Sequence, residues 1–168
     1  WMGTNNSSSD EWIELHNFGS ESENLSNWTL EWDLDTSSPK IINLSGELSS
    51  GGFFLLERTD DTSVPSVSAD QIYVGSLGNS GENIYLKNSG VEVNRVLAID
   101  GWPAGDNSTK DTMQKNGSSW ISASPTPRAK NSQVETTPVE EDEEEEHEED
   151  DEQREQRQPV PVEERIGQ

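Results

Sequence analysis

"LSNWTLEW", Leu25 to Trp32, alternates apolar and polar residues with a period of two. Trp28, Leu30 and Trp32 share one side of an extended chain, and Thr29, Glu31 and the following Asp33 share the other. Successive strand side chains point to opposite faces, so this pattern predicts a half-buried β-strand and not a helix. The same period recurs outward in both directions. In "NIYLKN", Ile84 and Leu86 oppose Tyr85 and Lys87, and in "DEWIELHN", Asp10 to Asn17, Trp12, Glu14 and His16 oppose Glu11, Ile13 and Leu15. "FFLLER", Phe53 to Arg58, is apolar on both faces, as expected of a strand covered on both sides. "IINL", "QIYVG" and "VEVNRVLAID" complete a set of about seven short strands.

Turn-forming stretches separate these runs: "NFGSESEN", "DTSSP", "SSGG", "NSGE" and "KNSG". Their Gly residues accept positive φ, and their Asn, Asp and Ser side chains bond to nearby backbone. "NSGE", with Asn79 and Gly81, reads as a hairpin turn. No segment reads as a long helix. The expected fold is all-β, an antiparallel sandwich or barrel.

Charge divides the chain. Of 168 residues with net charge -23, residues 132 to 168 hold 16 acids and 3 bases, and residues 1 to 131 hold 18 acids and 8 bases. All Trp, Phe and Tyr residues precede residue 121. The expected organisation is therefore a domain over 1–131, followed over 132–168 by an acidic, Pro-containing tail or linker with too little to bury to offset the entropy of ordering.

This acidity argues against direct contact with nucleic acid, which is bound by Lys and Arg displacing counterions. The absence of cysteine excludes disulfides and Cys-based zinc sites. No apolar run approaches the ~20 residues of a membrane-spanning helix. The chain opens at Trp1 and shows no secretory signal, so it reads as a piece of a larger protein.

With the turns and strands in place, the ordered set of elements resembles the lamin-tail domain, an immunoglobulin-like β-sandwich. The elements are "WMGT" at Trp1, "DEWIELHN" at Asp10, "LSNWTL" at Leu25, "SSGGFFLLERTDD" at Ser49, "LGNSGENIYL" at Leu77, "TMQKN" at Thr112 and "TPRAKN" at Thr126. The resemblance covers residues 1 to about 131. It implies an immunoglobulin-like antiparallel sandwich whose first strand is largely missing, with Trp12, Glu14, Asn17, Trp28, Leu30, Gly52, Leu55, Asn79 and Gly81 as structural residues. Two departures are His16, where an aromatic is usual, and Asn27, where Gly is frequent.

The ionisable residues of "DEWIELHN" invite a second reading. On a strand, Glu14 and His16 lie about 7 Å apart on one face, near enough to share a metal or a proton. A zinc site would need further ligands, and the only other histidine is His147 in the acidic tail. The resemblance favours Glu14 and Asn17 bonding to the backbone of a neighbouring turn, with His16 packing. Asp33 and Asp35 in "DLD", and Asp60 and Asp61 in "TDDT", are the candidates for a structural calcium site. Trp102, in the loop-like "DGWPAGDN", is the candidate exposed binding aromatic, although the resemblance favours its packing over the end of the sandwich, and Trp120 lies in another loop-like stretch, "GSSWIS". No catalytic residues and no cofactor are expected.

The resemblance implies no enzyme but a binding, display or spacer module of an exported or envelope-associated protein. Its partner would be a protein or a cell-surface component, met through loops or by strand addition at an open sheet edge. Rival readings are an accessory module that targets a hydrolase or nuclease encoded in the same gene, and a carbohydrate-binding module.

Overall fold

The computed structural model describes residues 4–133. The expectations for the acidic tail fall outside this range from residue 134 onward, as does the position of Trp1. The described residues form an all-β fold of eleven strands with one 3-10 turn, Leu25–Asn27. That turn is capped by Asn24, whose side chain accepts from the Ser26 N–H at 2.9 Å.

Two sheets enclose the core. One is ordered β1-β6-β7, from Trp12–His16, Phe53–Arg58 and Gln71–Tyr73. The other is ordered β4-β3-β8-β9, from Lys40–Asn43, Trp28–Trp32, Ile84–Asn88 and Val91–Val96. Thr112–Asn116 (β10) and Ser119–Ala123 (β11) make a separate hairpin, and Glu23–Asn24 (β2) and Glu47–Leu48 (β5) a short pair.

Leu30, Trp32, Ile42 and Ile84 of the four-stranded sheet pack with Phe54, Leu56 and Tyr73 of the three-stranded one. Trp28 and Leu86, and Ile13 and Leu15 across from them, close the margin of this core. The period-two faces read from "LSNWTLEW", "NIYLKN" and "DEWIELHN" are thus the faces that meet. Trp32 is fully buried, and its indole N–H donates to the Ser76 carbonyl at 3.0 Å, so its polar atom is satisfied.

β6 is buried on both faces. Phe54 and Leu56 enter the core, while Leu55 and Glu57, also inaccessible to solvent, face the other way. The chain from residue 59 to residue 70 supplies the buried Ser63 and Val64, and its end bonds to β6, with Asp70 N–H donating to Leu55 O at 2.8 Å and Leu55 N–H to Asp70 Oδ2 at 2.7 Å.

The structure departs from a purely antiparallel sandwich at one pairing. β6 and β7 run parallel, with Leu56 opposite Gln71 and Arg58 opposite Tyr73. Parallel neighbours cannot be joined by a tight hairpin, and the connection from residue 59 to residue 70 is the required crossover. "NSGE" is a second correction. It lies between β7 and β8, which belong to different sheets, so the turn closed by Gly81 N–H to Gly78 O at 3.1 Å carries the chain across the sandwich and joins no hairpin. The need for glycine there is steric: Gly81 has φ 113°, and a Cβ would sit 1.9 Å from the Ala98 carbonyl oxygen. A third correction concerns Trp120, which lies in strand β11 and receives the Lys115 ammonium over its ring at 4.7 Å.

Candidate functional site

The charged stretch that suggested chemistry is strand β1 with the residue before it. Glu11 has the parity of Ile13 and Leu15 and is therefore drawn inward, to 3% exposure. A carboxylate so placed needs hydrogen-bond partners. Its Oε1 accepts from Arg58 at 2.9 Å, and its Oε2 accepts from the Leu77 N–H at 2.9 Å. Burial pushes its pKa upward, and the Leu77 N–H and the Arg58 charge oppose that shift. Glu11 thereby ties β1 to the end of β6 and to the crossing between the sheets.

Glu14, half-buried on the opposite face, accepts from the Arg128 backbone N–H at 2.7 Å. This bond anchors the turn of "TPRAKN". Arg128 itself bridges onward to Asp70 at 2.9 Å and donates to Ser68 O at 2.6 Å. Burial raises the Glu14 pKa, against the Arg128 N–H and its guanidinium charge.

Asn17 fastens the far end of the strand, donating to Glu21 O at 2.8 Å and Leu48 O at 3.1 Å and accepting from the Gly19 N–H at 2.8 Å. Its own N–H donates to Gly52 O at 3.0 Å, which places Gly52 at the same corner. His16 stacks on its cross-strand neighbour Phe53, with ring centroids 4.3 Å apart and planes 9° apart, and meets Phe18 edge-on at 4.2 Å. The imidazole thus packs as an aromatic ring between Phe53 and Phe18.

Glu14 and His16, although on one face, are engaged with different partners. Among the described residues no three His, Asp or Glu side chains group as a metal ion would require. Asp61 accepts from the Ala69 N–H at 2.7 Å and Asp60 from the Thr62 hydroxyl, so both brace their own loop. Asp33 takes positive φ in a separate turn, where its carbonyl accepts from Thr36 N–H at 3.1 Å, and Asp35 is exposed.

Residues 76 to 78 form a knot that the sequence reading missed. Trp32 donates to Ser76 O, Glu11 accepts from Leu77 N–H, Glu82 accepts from Gly78 N–H at 2.6 Å, and Trp102 donates to Gly78 O at 2.8 Å. Trp102 is therefore a half-buried packing residue and not an exposed binding aromatic. Glu82 is 8% exposed and its second oxygen has no hydrogen-bond partner. Burial, followed by the nearby Asp33 charge, pushes its pKa up to about 7. A signal was present for both missed acids: Glu11 precedes Ile13 and Leu15 by two and four residues, and Glu82 precedes Ile84 and Leu86 by the same steps.

Among the described residues a cavity of about 800 Å³ is lined by β1 and residues of the sandwich interior. Its lining includes Ile13 and Leu15 of β1, Leu86 of β8, Val96 of β9, and Met113 and Trp120 of the β10–β11 hairpin. No helix among the described residues is long and apolar enough to cross a membrane. No protein-family model matches this chain, and no curated protein sequence matches it.

Proposed function

We propose that the chain is a lamin-tail-type sandwich acting as a non-catalytic binding or display module of a larger exported or envelope-associated protein. One observation carries this reading: the glutamates of "DEWIELHN", together with Glu57 and Glu82, accept from main-chain amides. Glu11 holds Leu77, Glu14 holds Arg128, Glu57 holds Ser63 and Glu82 holds Gly78. Both oxygens of Glu11 are engaged, by Arg58 and by the Leu77 N–H, and Glu14 is fixed to the Arg128 N–H; carboxylates held in this way position the chain. The resemblance over residues 1 to about 131 supplies the rest, including the exported setting.

The test is a search for turnover. Hydrolysis of ester, glycoside and phosphodiester probes is measured with the purified chain and with its Glu11→Gln and Glu14→Gln variants. Equal background rates in all three are expected. A rate above background that falls in either variant would overturn the non-catalytic reading.

A further inference from the structure

The loop from residue 97 to residue 102, which follows β9, is held by one short stretch of chain. Asn83 Oδ1 accepts from the Ala98 N–H at 3.0 Å and the Ile99 N–H at 3.2 Å, and the Gly78 carbonyl accepts from the Trp102 indole N–H at 2.8 Å. Gly81 passes so close to the loop that a Cβ there would lie 2.8 Å from the Gly101 Cα as well as against Ala98 O. Leu97 and Ile99 are exposed, so only Ala98 and Trp102 bury apolar surface from this loop, and its place depends on residues 78–83.

The same stretch contains a buried carboxyl that is only half satisfied. Glu82 Oε1 accepts from the Gly78 N–H at 2.6 Å, and Oε2 has no hydrogen-bond partner. A neutral carboxyl tolerates such a site far better than a carboxylate does. The groups around it do not offset ionisation. Asp33, after β3, and Glu11, before β1, repel a negative charge there, and Lys40 of β4 attracts it with an ammonium that already donates to Ser38. The Tyr73 hydroxyl of β7 has no hydrogen-bond partner either and is near enough to feel the Glu82 charge, while Arg58 is committed to Glu11. One peptide unit joins this acid to the loop: the Gly78 N–H serves Glu82, and the Gly78 carbonyl serves Trp102 and the Gly81 N–H.

We propose that residues 78–83 form a proton-controlled clasp, closed on the 97–102 loop while Glu82 is neutral and released when Glu82 ionises. Water reaches the carboxylate most directly by lifting the turn from Gly78 to Gly81, where Asn79 and Ser80 are exposed. Lifting that turn withdraws the Gly78 carbonyl from the Trp102 indole and so frees the loop. Trp32, whose indole bonds to Ser76 O outside the clasp, stays in place, which makes this a local opening and not unfolding of the domain. The sign follows from linkage. Burial, then Asp33, raises the Glu82 pKa from 4.5 to about 7 in the closed state, and in the released state the hydrated carboxyl returns to its ordinary value. The closed state is favoured in full below pH 4.5, loses roughly tenfold per pH unit up to about 7, and changes little above it, a limit of roughly 300-fold.

The test follows hydrogen exchange of the Trp102 and Trp32 indole N–H groups in the full chain by NMR, from about pH 5 to about pH 8.5, each rate divided by that of a free indole at the same pH. The Trp102 opening constant should exceed that of Trp32 throughout, rise about tenfold per pH unit between about pH 5 and pH 7, and level off above. Glu82→Gln, which keeps an acceptor for the Gly78 N–H, should abolish the rise at Trp102. Asp33→Asn, which suits the positive φ of that position, removes the repelling charge and should make the rise smaller. Equal opening constants for Trp102 and Trp32 would mean that the loop is released only with the whole domain, and would overturn the proposal. So would a Trp102 opening constant indifferent to pH, or a rise undiminished in Glu82→Gln. Should Glu82→Gln fail to fold, a rise of native size in Asp33→Asn overturns it instead. None of these outcomes bears on turnover, so the non-catalytic reading stands or falls separately.

Discussion

Neutralising Glu82 is the perturbation whose size follows most directly from the structure. Its carboxyl, 8% exposed, titrates at about 7 in the folded chain against an ordinary value of 4.5. The folded state holds this proton at pH values where the unfolded chain has released it. Stability from this group is therefore complete below pH 4.5, falls as pH rises through the window from 4.5 to 7, and is lower thereafter. A shift of this size corresponds to about 3 kcal/mol. Glu11, Glu14 and Glu57 are shifted in the same direction by burial and steepen the slope. Glu31, held below its ordinary value by Lys87 and Thr29 despite burial, acts in the opposite sense and only as pH falls below 4.5. Urea unfolding followed by tryptophan fluorescence between about pH 5 and pH 8 measures the effect. Glu82→Gln keeps an acceptor for the Gly78 N–H and removes the titration. It should flatten the slope and be more stable than the native chain at the alkaline end, by up to about 3 kcal/mol. Identical slopes in both proteins, or native stability that rises with pH across the window, would refute the placement of Glu82.

Other substitutions read single contacts. Glu14→Ala should cost about 1–3 kcal/mol by leaving the Arg128 turn unanchored, and an unchanged urea midpoint would contradict that bond. His16→Phe should preserve the stack on Phe53 and leave stability within about 0.5 kcal/mol, whereas His16→Ala should lose roughly 1 kcal/mol in the same assay. Gly81→Ala combines a positive φ with collision at Ala98 O, and a loss of at least 2 kcal/mol, or failure to accumulate folded protein, is expected at that order of magnitude. Millimolar calcium should leave the melting temperature unmoved, since Asp60 and Asp61 already brace their own loop; a rise would restore the acidic loops as a site.

What the sequence disclosed was local. The faces of β1, β3 and β8 were legible because Trp28, Leu30 and Trp32, or Ile84 and Leu86, recur every second residue and one face of each strand is buried. Two-sided burial of "FFLLER" was legible for a different reason, since its apolar residues run on without alternation. The parallel partner of β6 was not, because nothing in "QIYVG" marks the direction of its neighbour, and pairing is decided by where the preceding crossover delivers the chain. "NSGE" showed its turn but not its destination, since a turn's residues specify φ and not whether the following strand joins the same sheet. Partners distant in sequence were hidden altogether. The bond from Glu14 to Arg128 spans 114 residues and that from Glu11 to Leu77 spans 66. Parity alone could have predicted that Glu11 and Glu82 turn inward. For Trp102 the loop context suggested exposure and the resemblance packing; the packed position is the one found, and neither context pointed to the Gly78 carbonyl that accepts from its N–H.

The central claim is that the acids around "DEWIELHN" hold the backbone together. NMR pH titration of the Leu77, Gly78 and Arg128 amide protons tests it in one experiment. Hydrogen bonds from these amides to Glu11, Glu82 and Glu14 predict large shifts with midpoints above the ordinary 4.5, highest for Gly78, whose partner titrates at about 7. Amides that stay flat across this range, or that follow carboxyls titrating at ordinary values, would contradict the claim.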